Sequence, residues 1–250
     1  MKLSVNLNKI ALLRNSRGSN QPNLLDYASD AIDLGVDGLT LHPRPDLRHA
    51  TPDDIFDISS LCKKYKVEFN LEGNPFSKRS DNYPGFIDLV SKSLPHQVTL
   101  VPDNSSQLTS DHGWKPKDIN REFSNMLVNI PKKTRYISVF VDIDFYDFKC
   151  FSTSPINAIE IYTGPFADAI KNNNINKVDE LKNSILRLAE IAKNNNFKIN
   201  AGHDINLNNL HFLKDCGLID EVSIGHAIIT DSLRYGYKET IKKYLEVVRS

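Results

Sequence analysis

Two histidines and two glutamates, His42, Glu72, Glu160 and His203, stand at or just beyond the ends of short β-branched or aromatic runs. A glutamate partly buried in a barrel mouth has its pKa raised toward neutrality, and imidazoles titrate close to it. Such a set supplies acid and base partners for several successive proton transfers, more than simple hydrolysis requires. Beside it, the stretch Arg44–His49 holds two arginines and a histidine, with Arg17 in an adjoining loop. Guanidinium forks bind phosphate bidentately, so this cluster suits a phosphorylated substrate. A second anion site is read at Ser223-Ile224-Gly225-His226-Ala227, where a glycine between strand and helix lets backbone N–H groups approach an anion. Two separated anion sites imply one bisphosphate or two phosphorylated substrates.

The elements that must position these groups are eight short runs read as strands: Leu3–Leu7, Gly38–Leu41, Val67–Leu71, Gln97–Val101, Ile137–Val141, Ala158–Ile161, Phe197–Asn200 and Glu221–Ile224. They read as mostly apolar with little alternation, as strands covered on both faces should. Helical patterns fill the gaps at Leu24–Leu34, which stops at Gly35, and from Thr51, with Pro52 first in the helix and Asp54 three residues after the cap. Further patterns span Val178–Asn196 and Ala227–Val248, while Asn104–Lys117 and Gly164–Asn176 read as extended loops with room for short helices. Alternation of strand and helix predicts right-handed βαβ units, and eight of them over residues 1–250 fit one (β/α)8 TIM-barrel catalytic domain with extra short helices in its βα loops. The rival is an open doubly wound sheet, but no GxGxxG follows the first strand.

In a parallel barrel all strand ends share one rim, where such barrels do chemistry. That rim collects Asn6, Asn8 and Lys9, then His42 and Arg44, Asn70 and Glu72, Asp103 and Thr109, Asp142 and Asp144, Glu160 and Thr163, His203 and Asp204, and finally Gly225 and His226. Asp142 reads equally well as a cap for the next helix. Residues preceding the strands show nothing comparable.

Formal net charge over the 250 residues is +0, so no global field favours nucleic acid or an anionic membrane, and an anionic ligand needs a local basic cluster. Cys62, Cys150 and Cys216 are scattered, without a CxxC pair, as in a reducing cytosol. The start, Met1 to Lys9, breaks its apolar residues with Ser4, Asn6 and Asn8 and is no signal-peptide core, which predicts a cytoplasmic protein. No metal is expected: Asn6-Leu7-Asn8 stands where metal-dependent hydrolase barrels carry HxH, and no HExxH occurs. No lysine ends a strand as an obvious Schiff-base former, although Lys9 is close.

Several stretches together resemble one family. They are Val5-Asn6, Ala11 to Gly18, Asp37 to Arg44 with Arg48-His49, Asn70-Leu71-Glu72, Leu100-Val101-Pro102, Glu160 to Gly164, Asn200-Ala201-Gly202-His203 and Ile224 to Ile229. In this order they resemble the pyridoxine 5′-phosphate synthases, the ring-closing enzymes of one vitamin B6 route. The resemblance implies a cofactor-free TIM barrel that joins 1-deoxy-D-xylulose 5-phosphate to 3-amino-2-oxopropyl phosphate, giving pyridoxine 5′-phosphate, phosphate and water. It implies His42 and Glu72 as general bases, His203 as proton donor and Glu160 as stabiliser of a charged transition state. Asn6, Gly225 and His226 match the aminoketone phosphate site; Arg17, Arg44, His49 and Thr109 match the deoxyxylulose phosphate site. Asn8 and Lys9 stand where many members have Asp-His, Asp204 where many have glycine, and Tyr162 where many have histidine. The first three are carried over as substrate-binding positions. The family also implies a homo-oligomer, dimer-based and as large as an octamer. Another phosphosugar isomerase or aldolase barrel, needing one phosphate site, and a non-catalytic phospho-ligand binder remain the alternatives. Retention of His42, Glu72 and His203 together weighs against the binder.

Overall fold

The computed structural model describes residues 1–104 and 106–250. Eight parallel strands close into a barrel in chain order. They are β1 Lys2–Asn6, β2 Gly38–Leu41, β3 Glu68–Gly73, β4 Gln97–Leu100, β5 Tyr136–Val141, β6 Ala158–Tyr162, β7 Lys198–Gly202 and β8 Glu221–Ile224. Closure is carried by β1 on β8, with Leu3 opposite Val222 and Val5 opposite Ile224. β2 and β8 begin and end where the sequence places them, and the others differ by one or two residues at an end.

The expectation of little alternation is wrong, and the error matters. Leu3, Val5, Leu39, Leu41, Val98, Leu100, Val139, Ile159, Ile161, Ala201 and Val222 are fully buried and belong to the core shared with the helices. The residues between them are polar and meet inside the barrel: Lys198 Nζ of β7 reaches Gln97 Oε1 of β4 across the interior at 2.9 Å and Glu221 Oε2 of β8 at 2.7 Å. Ser4 and Thr40 hydroxyls pair at 2.7 Å, and Asn70 Nδ2 donates to Glu72 Oε1 at 3.2 Å. Barrel interiors of this fold are usually packed with branched apolar side chains. Here a hydrogen-bonded polar layer supports the rim from below, because buried polar groups are tolerated when they are partnered.

The helices are α1 Asn8–Asn15, α2 Leu24–Asp33, α3 Pro52–Tyr65, α4 Phe86–Ser93, α5 Arg121–Leu127, α6 Gly164–Lys171, α7 Ile175–Asn194, α8 Leu210–Asp215, α9 His226–Tyr235 and α10 Tyr237–Arg249. α3 starts as read: Thr51 and Asp54 form a reciprocal capping box with Pro52 in the first turn. Its Ile55, Ile58 and Cys62 face the core, each buried aliphatic side chain contributing about 1.5–3 kcal/mol. Asn23 Oδ1 caps α2 through Leu25 N and Asp26 N.

Three departures shape the rim. α1 springs directly from β1 and sets Asn8 and Lys9 in its first turn. Gly164–Asn176, read as a loop with room for short helices, carries one and the start of the next: Pro165 opens α6, Phe166 is fully buried against Phe212, and Asn174 caps α7. The single helix expected over Ala227–Val248 is two, broken at Gly236, whose φ of +80° suits a residue without Cβ. Between β5 and β6 only a 3-10 turn, Phe148–Phe151, forms, and the rings of Phe145, Phe148, Phe151 and Phe197 fill the place of an outer helix. Asp142 caps no helix; its Oδ1 accepts from Gly113 N at 2.8 Å. Among the described residues no helix is long and apolar enough to cross a membrane.

Candidate active site

At the C-terminal rim a cavity of about 320 Å³ is lined by Asn6, Asn8, Lys9, His42, Arg44, His49, Glu72, Thr109, Glu160, His203, Asp204, Gly225 and His226, with Val101, Ser110, Phe140 and Ser223 among the residues between them. Thirteen of the fourteen residues singled out from sequence therefore surround one space. The exception is Arg17, which lies exposed beyond α1 and is absent from the lining.

His42 is the hub. Its Nε2 lies 3.1 Å from Asp103 Oδ2 and its Nδ1 3.6 Å from Glu72 Oε2, and all three side chains are buried. Burial by itself opposes a charged imidazole, but the Asp103 and Glu72 carboxylates outweigh it and lift His42 to about 9. At neutral pH His42 is an imidazolium. Its backbone is fixed too, since His42 N donates to Asn8 Oδ1 at 2.9 Å. Asn8 thus spends one acceptor on shaping the rim.

Asp103 is the residue that sequence reading passed over. Named there only as a polar strand end, it also accepts from Arg44 Nη2 at 2.6 Å. Burial would raise its carboxyl, yet His42 and Arg44 hold it below the usual carboxylate range. Arg44 further donates through Nη1 to the Asn104 and Gln107 carbonyls at 3.2 and 3.1 Å, while its buried Nε has no partner among the described residues. His49 lies in the same corner with Nδ1 unpartnered, pushed down to about 3 by burial and by His42, Arg44, Lys9 and Arg48. Around pH 7 it is a neutral ligand rather than a cation. Lys9 is also lowered, by burial and by Arg48 and Arg44. This corner has donors to spare and wants an anion.

The start of α9, directly after β8, lines the same cavity and presents backbone N–H groups that no side chain of the described residues caps. Gly225 packs closely on β1: a Cβ there would stand 3.1 Å from Cβ of Asn6, so Asn6 would have to give way slightly. Between the two ends, Glu160 is buried with Oε2 unpartnered. Burial, then Glu72 and Glu221, push its carboxyl well above the ordinary range, which favours its protonated form. Gly202 makes room for it, since any side chain there would collide with the Glu160 carboxyl.

A folded-state pKa raised in this way means that folding loses stability as pH rises from the unfolded carboxyl value toward the folded one. Glu160→Gln, neutral at every pH, is therefore expected to unfold a few degrees higher than the parent at pH 8 and to lose that advantage near pH 4, while turnover falls. Thermal unfolding at the two pH values reads this directly; an advantage independent of pH would contradict a neutral Glu160.

His203 completes the set. Its Nε2 meets Thr109 Oγ1 at 2.7 Å, its Nδ1 meets Asp204 Oδ2 at 2.8 Å, and the Tyr162 ring stands edge-on at 5.2 Å. The arrangement offers two ends rich in hydrogen-bond donors, a charged imidazole, a carboxyl whose protonated form is favoured and a second imidazole in one mouth.

Comparison with known proteins agrees. The chain matches the family model described as pyridoxal phosphate biosynthesis protein PdxJ over residues 3–250. It is 40% identical over 253 residues to a pyridoxine 5′-phosphate synthase of Xylella fastidiosa (strain 9a5c), covering 100% of this chain and 95% of that one. It is 40% identical over 250 residues to the synthase of that name from Xanthomonas axonopodis pv. citri (strain 306), covering 100% and 97%. Among solved structures, tryptophan synthase from M. tuberculosis superposes with a TM-score of 0.63 at 10% identity, over 100% of this chain and 93% of that one. At that identity the last likeness speaks for the barrel alone.

Proposed function

The chain belongs to the PdxJ family and acts in pyridoxal phosphate biosynthesis, and on that premise we propose that its rim joins 1-deoxy-D-xylulose 5-phosphate to 3-amino-2-oxopropyl phosphate and closes the ring of pyridoxine 5′-phosphate. The observation that carries the reading is one cavity that holds a cationic corner at Arg44 and Lys9, with neutral His49 beside them, and an uncapped helix start at Gly225 and His226. Two phosphorylated substrates held at opposite ends bring amine and ketone together between them, and that positioning removes the entropy of their encounter.

The proton inventory orders the steps. Glu72 takes the first proton, because His42 enters the cycle already charged; His42 donates first and serves as base afterwards. Glu160, its protonated form favoured by burial and by Glu72, hydrogen-bonds developing charge rather than opposing it. His203 takes a proton from the substrate onto Nε2 in an earlier transfer, its Nδ1–H held by Asp204, and returns that proton to a departing oxygen once Thr109 releases it. No step in this scheme calls on a metal or an organic cofactor. Asn6 shapes the helix-start end, and Lys9 adds charge to the cationic corner.

The same family premise makes the chain a cytoplasmic homo-oligomer. Exposed Leu13 on α1 and Leu233 on α9, a helix in contact with α1, supply apolar surface for a second copy.

Mixing the protein with both phosphorylated substrates is expected to release one inorganic phosphate per pyridoxine-like chromophore formed. Phosphate assay and absorbance read the two together. Both ligands bound without product would overturn the reading.

A further inference from the structure

His203 and Asp204 are consecutive non-glycine residues in left-handed backbone, with φ of +78° and +55°. Histidine and aspartate tolerate that region better than most residues, but two in succession are strained, and strain persists where surrounding structure enforces it. The enforcement is visible. Thr163 Oγ1 lies 2.9 Å from the Gly202 carbonyl and within reach of the His203 carbonyl. Asn209 Nδ2 and Asn206 Nδ2 both donate to the Asp204 carbonyl, at 3.0 and 3.3 Å.

What the strained pair achieves is a contact between neighbours. Adjacent side chains in a strand point to opposite faces; here the turn folds Asp204 back so that Oδ2 meets His203 Nδ1 at 2.8 Å. A carboxylate at Nδ1 requires the proton on that nitrogen and turns Nε2 into the cavity, where it meets Thr109. The Asp204 carboxyl is held below its usual range chiefly by this hydrogen bond, which marks it as a committed acceptor. A carboxylate already engaged, in a mouth built for anions, is poorly suited to bind phosphate itself.

We infer that Asp204 is a positioning residue: it fixes the tautomer and orientation of His203, and the strained turn exists to bring the two side chains together. The inference rests on the synthase reading for what His203 does, not for how it is held. The other ionisable groups around this pair are Lys9 of α1, Asp111 of the loop after β4, Tyr162 of β6, Lys171 of α6 and His226 of α9. None of them is paired with His203 Nδ1.

Three proteins test it: the parent, Asp204→Gly and Asp204→Asn. Glycine at φ +55° relieves the strain, so Asp204→Gly is expected to be at least as heat-stable as the parent. Its kcat should fall about tenfold or more, part of what a positioned proton donor contributes, with KM for both substrates within about twofold. Asparagine tolerates the same backbone and still accepts from Nδ1–H, so Asp204→Asn should keep most of the turnover. Nitrogen-15 spectra of the imidazoles should show one fixed tautomer for His203 in the parent and in Asp204→Asn, and a mixture in Asp204→Gly. A parent without turnover would sink the synthase reading and leave the spectra to judge Asp204. Unchanged spectra in Asp204→Gly, a loss confined to KM, or Asp204→Asn as impaired as Asp204→Gly would each overturn the assignment.

Discussion

Replacing Glu72 by glutamine is expected to lower turnover by a factor on the order of 10³, within the range a positioned general base contributes. Binding of each phosphorylated substrate should stay within about threefold, because the charged and helix-start ends of the cavity are untouched. The geometry makes the substitution clean. Glu72 is buried, with Oε1 accepting from Asn70 Nδ2 at 3.2 Å and Oε2 facing His42 Nδ1 at 3.6 Å. Glutamine has the same size and its oxygen can still accept from Asn70, which leaves an amide rather than a base toward His42. His42 also loses one of the two carboxylates that keep it charged, so both proton carriers on this side are disturbed at once. Saturating turnover together with calorimetric binding of each substrate separates chemistry from affinity. Turnover near the parent's would remove Glu72 from the reaction.

The strand ends carried most of this, and they were legible because barrel topology turns a one-dimensional rule into a shared rim. Reading the residues at or just beyond each strand's end gathers His42, Glu72, Glu160, His203 and Gly225 without knowledge of any contact. The same reading failed where the signal is not local. The polar interior was written plainly in Leu3-Ser4-Val5-Asn6 and Gln97-Val98-Thr99-Leu100, yet an expectation of apolar barrel cores masked it. The turn after β5 fails as a helix because Phe145, Phe148 and Phe151 prefer each other's rings, a tertiary preference that propensity does not register. Gly236 was a visible breaker whose weight depended on α10 folding back to bury Tyr244 and Leu245. Asp103 was seen but given no task, since its task is to touch residues contributed by a different strand. Arg17 shows the converse: a type and position suited to phosphate do not bring a side chain into the cavity of this one chain.

Asp103 is also where the second large effect is expected. Asp103→Asn should lower kcat roughly a hundredfold while tightening the ground-state binding of the pentulose phosphate, an unusual pairing that follows from charge. The carboxylate is the counterion of Arg44 and His42 in a corner that also holds Lys9 and Arg48; removing it leaves those cations seeking an anion. The same removal leaves His42 with Glu72 alone against the burial that opposes its charge, so its pKa falls and the imidazolium is less favoured. Separating a buried ion pair has a structural price as well, up to roughly 3 kcal/mol, softened here because asparagine can still accept from Arg44. The sign of the pH effect follows from linkage. His42 titrates at about 9 when folded and near 6.5 when unfolded, so its stabilising contribution is complete below 6.5 and disappears as pH rises through 9. Asp103→Asn should therefore be less stable than the parent at pH 6 by more than at pH 9.5, whereas Glu160 titrates alike in both proteins and cancels. If binding weakened in step with kcat, Asp103 would be a prop for Arg44 and nothing more. A tighter but slower enzyme identifies it instead as the charge that keeps phosphate binding and proton transfer in balance.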